Sequence, residues 1–286
     1  MATLQERANA FLREISIPIA RRFNLKYLPD HFHTVVYAAL AYTILHLVIA
    51  PSLSQLIVPD VYKGLKGRKA RNRWNIHIVS FVNAVTLSWL AFKGLGHPEL
   101  SQDKAFGWHP SVGTANAVAT GHFIWDAADA IINFTDIGFV IHGFSCMLLY
   151  SLTFRPYLGF YSPRFLLWEL STPFLNIHWF LDKLGKTGGA LQLINGIILL
   201  STFFSIRIVY GWYMSYEFLW TLWEVKDQVP TALTATLFIG NIILNSLNIV
   251  WFVVYCIFHI PLVLRASMLC LQVHQDDTDY PKTIRG

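Results

Sequence analysis

Long runs nearly free of charge recur along this chain, and they constrain its fold more than any other feature. A helix needs roughly 20 apolar residues to cross a bilayer core. Seven segments are candidates: 34–58, 75–95, 112–134, 136–154, 164–182, 189–220 and 232–264. Of the 286 residues, 54% are hydrophobic and 14% charged, whereas a soluble domain carries about 25% charged residues. The short alternating segments of a β-barrel are missing. The expected fold is therefore all-α, a polytopic membrane helix bundle of about seven transmembrane helices.

Three regions are expected. In residues 1–33, Arg7, Arg13, Arg21 and Arg22 are spread with no apolar core among them, which excludes a secretory signal. Leu4, Ala8, Phe11 and Ile15 share one helical face, so the segment reads as an interfacial amphipathic helix ended by Pro18, or else as a frayed tail. Residues 34–265 form the membrane domain. Residues 266–286 form a short tail, acidic through Asp276, Asp277 and Asp279 and expected to be mobile. Two spans stand apart. Span three holds Asp126 and Asp129, and span five is interrupted by Pro173, which removes a hydrogen-bond donor and should kink it. Either is compatible with a re-entrant segment.

Charge sets an expected orientation. Lys63, Lys66, Arg68, Lys69, Arg71 and Arg73 crowd one short loop. With that loop included, basic residues divide nearly evenly between the two sides, nine against eleven, so the dense loop decides. It is expected in the cytosol, facing anionic lipid headgroups, with the C-terminus on the same side. Nucleic acid is the poorer partner for a basic cluster beside a span. Cys146, Cys256 and Cys270 form no C-x-x-C pair or disulfide framework, which argues against redox and zinc–thiolate chemistry.

Polar groups inside the spans are the functional clue, because a carboxylate at a span centre costs about 2.5–3.5 kcal/mol on insertion scales. His122, Asp126, Asp129 and Asn133 are spaced by 4, 3 and 4 and share one helical face. That stripe suits a proton relay, a ligand site or a metal site, and equally inter-helix hydrogen bonding. Span four carries His142, with Ser145 on the same side; a lone histidine is a packing residue unless a carboxylate orients it as base or nucleophile. Span five aligns Glu169, Thr172 and Asn176 and also carries His178. Asn241, Asn245 and Asn248 line one face of span seven and read as inter-helix glue. Arg207, within span six, is expected to meet a carboxylate such as Glu169 or to snorkel to a phosphate. The tryptophans Trp168, Trp179, Trp212, Trp220 and Trp223 suit interfacial belts or packing.

Several chemistries are excluded. No H-x-x-x-H or H-x-x-H-H spacing supports a membrane di-iron site, and no metal site is expected. The last span holds no central lysine for a retinal Schiff base. G-x-S-x-G and P-loop motifs are absent from the sequence.

The stretch WELSTPFLNIHWFLDK, a glycine-rich turn and QLINGIILLSTFFSIRI resemble the TLC domain family. That family includes translocation-associated proteins, ceramide synthases and CLN-type proteins. GHFIWDAAD, FVIHGFS and the basic loop followed by WNIHIVSFVNA are similar to further family elements. The likeness covers roughly residues 70–265 and is greatest to uncharacterised fungal-type members. It implies a multi-pass TLC-type protein of the endoplasmic reticulum that handles membrane lipid. In ceramide synthases a histidine pair and a downstream aspartate pair support acyl transfer from acyl-CoA. Here His142 matches the first histidine and Gly143 stands at the second; Glu169 matches the first aspartate and Thr172 replaces the second.

The resemblance therefore implies a degenerate catalytic pair, His142 and Glu169. His122, Asp126, Asp129, Thr172, Asn176, His178 and Arg207 would shape a polar cavity. No bound cofactor is expected; acyl-CoA would be a co-substrate, and a lysolipid is one candidate acceptor. A non-enzymatic lipid-binding or membrane-composition regulator is the alternative, and a cargo receptor or translocation accessory ranks third. An oligomer is compatible with the sequence.

Overall fold

A computed structural model describes residues 3–278, with side chains through Ile257. Among these residues all regular structure is helical. The principal helices are α1 (Leu4–Phe23), α2 (Leu28–Ile57), α3 (Pro59–Gly64), α4 (Gly67–Gly94) and α5 (Pro98–Gln102). They continue as α6 (Pro110–Ile132), α7 (Ile137–Leu152), α8 (162–183), α9 (Ala190–Glu224) and α10 (Thr231–Thr278). The seven apolar runs coincide with α2, α4 and α6 to α10. Four of these, α2, α4, α9 and α10, are long and apolar enough to cross a membrane; α7 is a shorter apolar helix. The chain is a polytopic all-α membrane protein. The side chains of Asp276, Asp277, Asp279 and Cys270 lie outside the described residues.

Local sequence explains the helix ends and irregularities. Thr3 and Glu6 form a capping box that starts α1. Its end differs from expectation: α1 runs through Pro18 to Phe23, and Asn24, at φ 54°, closes it in the left-handed conformation. Packing against α2 offsets the lost hydrogen bond of Pro18. In α2 a π-helical turn, Leu45–Ile49, precedes Pro51. In α8 a 3₁₀ segment, Leu167–Ser171, precedes Pro173. Proline at 173 cannot bond the carbonyl of Glu169, and the Thr172 N–H takes it instead. A second π-helical stretch, Phe204–Tyr210, lies within α9 and carries Arg207. Such widened turns recur at functional sites.

Helix contacts run from α4 to α6, α7, α10, α9 and α8, and back to α4. These helices form a ring, with α2 packed outside it on α6 and α1 on α2. Polarity is arranged for a lipid solvent. Asn83, Asn116, Asn176, Asn195, Asn241 and Asn248 are buried. Ile194, Ile197 and Val209 of α9 and Ile239, Ile242 and Val250 of α10 face outward. An apolar surface this extensive suits a membrane and not water. Trp212, Trp220 and Trp223 also face outward, whereas Trp168 is buried in the bundle.

Candidate functional site

Inside the ring is a cavity of about 90 Å³. Its wall draws on α6, α7, α8, α9, α10 and the 153–161 loop. His142 and Cys146 from α7, Glu169 from α8 and Arg207 from α9 all line it. Phe165, Phe218, Leu237 and Leu244 make much of the remaining wall apolar. The loop contributes Leu158, a non-glycine residue at φ 58°. Residues held in that sparsely populated region cluster at functional sites.

Each polar side chain reaches the cavity for a local reason. His142 is wedged between rings on two neighbouring helices, with centroids 5.9 Å from Phe123 and 5.2 Å from Trp251. Cys146 lies one helical turn on, so it shares that face. Its Sγ is 3.8 Å from His142 Nδ1 and 3.9 Å from Nε2. Arg207 is buried and fully engaged: Nε donates to Ser171 Oγ at 3.0 Å, Nη1 to Asn248 Oδ1 at 3.0 Å and Nη2 to Thr172 Oγ1 at 3.1 Å. Its Nη2 also stands 4.0 Å from Glu169 Oε1. The guanidinium is thus fixed by three neutral acceptors, with its charge facing the carboxylate across a longer gap. Three neutral bonds plus one opposite charge offset the desolvation of a buried arginine.

The other sequence-derived candidates lie elsewhere. His122, Asp126 and Asp129 do not line this cavity. Asp129 accepts from Asn72 Nδ2 at 3.3 Å and from Asn133 Nδ2 at 2.9 Å, and lies 3.9 Å from His46 Nδ1. His122 packs edge-on against Tyr42, with centroids 4.8 Å apart. These residues form a seam where α6 meets α2 and α4. Asp126 lies against α7 at Gly143, where an added Cβ would meet its Oδ2 at 2.8 Å and the Ala127 backbone at 3.2 Å. The glycine at the family's second histidine position is therefore a tight α6–α7 contact, where even a Cβ crowds its neighbours.

Thr172 holds Arg207 and does not line the cavity. Asn176 bridges α8 to α4. It accepts from His77 Nδ1 at 2.7 Å, and its Nδ2 donates to Ser80 Oγ at 3.1 Å and Thr172 O at 3.0 Å. His178 faces α9 at Gly196. Among the described residues no cluster of three or more His, Cys, Asp or Glu side chains could hold a metal. Sequence reasoning missed Cys146, Trp168 and Ser171. The i, i+4 rule applied to the other stripes would have found Cys146 from His142; Ser171 and Trp168 left no comparable signal.

Comparison with known proteins agrees with this architecture. The sequence model of the TLC domain matches residues 73–257. An uncharacterised TLC domain-containing protein of Schizosaccharomyces pombe is 38% identical over 245 residues, covering 84% of this chain and 82% of its own length. Topoisomerase I damage affected protein 4 of Saccharomyces cerevisiae is 28% identical, with 78% and 82% covered. Human TLC domain-containing protein 4 is 26% identical, with 65% and 73% covered. With the polytopic helical fold, the domain match and these relatives in agreement, the chain belongs to the TLC domain family.

Proposed function

We propose that this protein is a lipid acyltransferase of the endoplasmic reticulum membrane, moving an acyl chain from acyl-CoA to a lipid acceptor. One observation carries the reading. His142, Glu169 and Arg207 share the wall of an otherwise largely apolar cavity inside the helix ring. Phe165, Phe218, Leu237 and Leu244 suit an acyl chain, and His142 suits proton transfer at its reactive end. Glu169 supplies the negative charge that steadies an imidazolium, and Arg207 offers positive charge for a carbonyl oxygen as it becomes an oxyanion. Purified protein in lipid, given acyl-CoA and lysolipid or sphingoid acceptors, should form acylated product. His142→Ala should lower it by about 10²–10⁴-fold with the fold intact. Absence of product from every acceptor overturns the reading.

A second reading has a specific observation behind it. Glu169 stands opposite Arg207, and Gly143 is packed where a second histidine would be needed. Those features favour a site that recognises lipid without turnover. Lipid co-purifying with both the native chain and Glu169→Gln, without product, would favour this regulator reading.

A further inference from the structure

Cys146 is the group in the cavity that the acyltransferase scheme leaves unused. It is buried, lines the same wall as His142 and has both imidazole nitrogens within 3.9 Å of its sulfur. A second, independent feature is an unpartnered donor in the same wall. Trp168 lines the cavity and is buried, and its indole N–H, beside Gly211 of α9, has no acceptor among the described residues. A buried donor without a partner costs about 1–3 kcal/mol. A carbonyl oxygen of a bound acyl group would satisfy it.

Resting on the acyl-transfer reading, we infer that Cys146 is the covalent acyl carrier and His142 its base. Sulfur is the strongest nucleophile in the cavity. A free thiolate in an apolar cavity is costly, so the proton must leave as the new bond forms. Cys146 Sγ attacks the acyl-CoA carbonyl carbon while His142 takes the thiol proton. The tetrahedral adduct collapses, breaking the bond to the coenzyme A sulfur, which leaves with the proton that His142 returns. This exchanges one thioester for another, with no oxidant and no external energy source. In the second half, an acceptor hydroxyl or amine attacks the Cys146 thioester. His142 takes the acceptor's proton and delivers it to the departing Sγ. Free thiol and neutral imidazole are restored.

The two imidazole nitrogens lie 3.8 and 3.9 Å from the sulfur, so either is placed to act as the base. One nitrogen then serves both halves of the cycle. Cys256, partly exposed on α10, does not line this cavity and serves as an internal control.

The test uses the full chain in lipid nanodiscs, in a Cys256→Ser/Cys270→Ser background, with an alkyne-tagged long-chain acyl-CoA. Label on the protein and product on acceptor are measured separately. The expected result is an acyl label on Cys146, mapped by mass spectrometry and released by neutral hydroxylamine. Cys146→Ala should lose the label and at least about 100-fold of transfer, and His142→Ala should slow labelling by a similar factor. Product without any label on Cys146 would overturn the thioester while leaving acyl transfer standing. Label on Cys146 without product would support the thioester and overturn transfer to the acceptors tried. Neither label nor product would overturn both. If Cys146→Ala does not fold, Cys146→Ser and the site of label on the unmutated residue decide the same question.

Discussion

Two polar regions run through this bundle, each setting a carboxylate near a histidine, with opposite results. The seam where α6 meets α2 and α4 holds His46, Asn72, His122, Asp129 and Asn133. The centre of the ring holds His142, Cys146, Glu169 and Arg207. In the seam the carboxylate is consumed by neighbouring side chains, and the imidazoles pack against aromatic rings. At the ring centre the polar groups face a cavity. An intramembrane carboxylate beside a histidine therefore marks neither glue nor chemistry by itself. What separates the two is whether the surrounding helices leave space for a substrate.

The sharpest way to break that comparison is a pair of substitutions read for activity. His142→Ala should lower acyl transfer by about 10²–10⁴-fold, the usual range for a lost acid–base group. Asp129→Asn, in the seam, should leave transfer within about twofold of native. Equal losses would mean that the two regions work as one site.

Next comes the charge at the ring centre. Arg207→Met leaves Glu169, Ser171, Thr172 and Asn248 without their shared partner. The expected loss is about 3 kcal/mol or more, since an uncompensated buried charge remains. Adding Glu169→Gln should recover part of it, as measured by thermal unfolding in detergent. A double variant less stable than the single would argue against charge pairing.

A smaller effect is expected at the α6–α7 contact. Gly143→Ala should cost about 1–3 kcal/mol through overpacking against Asp126 and Ala127. Gly143→His, which restores the family's second histidine, should destabilise further and raise no activity. A gain in transfer from that variant would show that the helices part easily and that the missing histidine, not the packing, limits the reaction.

The smallest effect belongs to pure glue. Asn176→Ala removes the bridge to His77 and Ser80 and should cost about 0.6–1.7 kcal/mol, from the average to the maximum for such bonds in membranes, with transfer unchanged. A loss of transfer larger than the loss of stability would move Asn176 into the site.

Much of this molecule was legible in the chain. The apolar runs located α2, α4 and α6 to α10, because bilayer thickness imposes helix length directly. Proline marked the irregular turn near Pro173, since the missing donor acts wherever the chain goes. It misled at Pro18, where packing on α2 outweighs the local penalty. The spacing from His122 to Asn133 set His122, Asp126 and Asp129 along α6, with Asn133 capping its end. It said nothing of which helix each would meet.

The sequence by itself determined the solvent, the helices and the faces they present, because these follow from local periodicity and the cost of charge in lipid. Only the tertiary structure decided which faces enclose space. It set His142, Cys146, Glu169 and Arg207 around a cavity from three separate helices, closed Asp129 into a seam and set Asp126 against α7. It also turned Gly143 from a missing histidine into a tight helix contact. The physical reason is that a cavity is a property of helix separation. Separation is set by pairs of side chains far apart in the chain, which no single helix records.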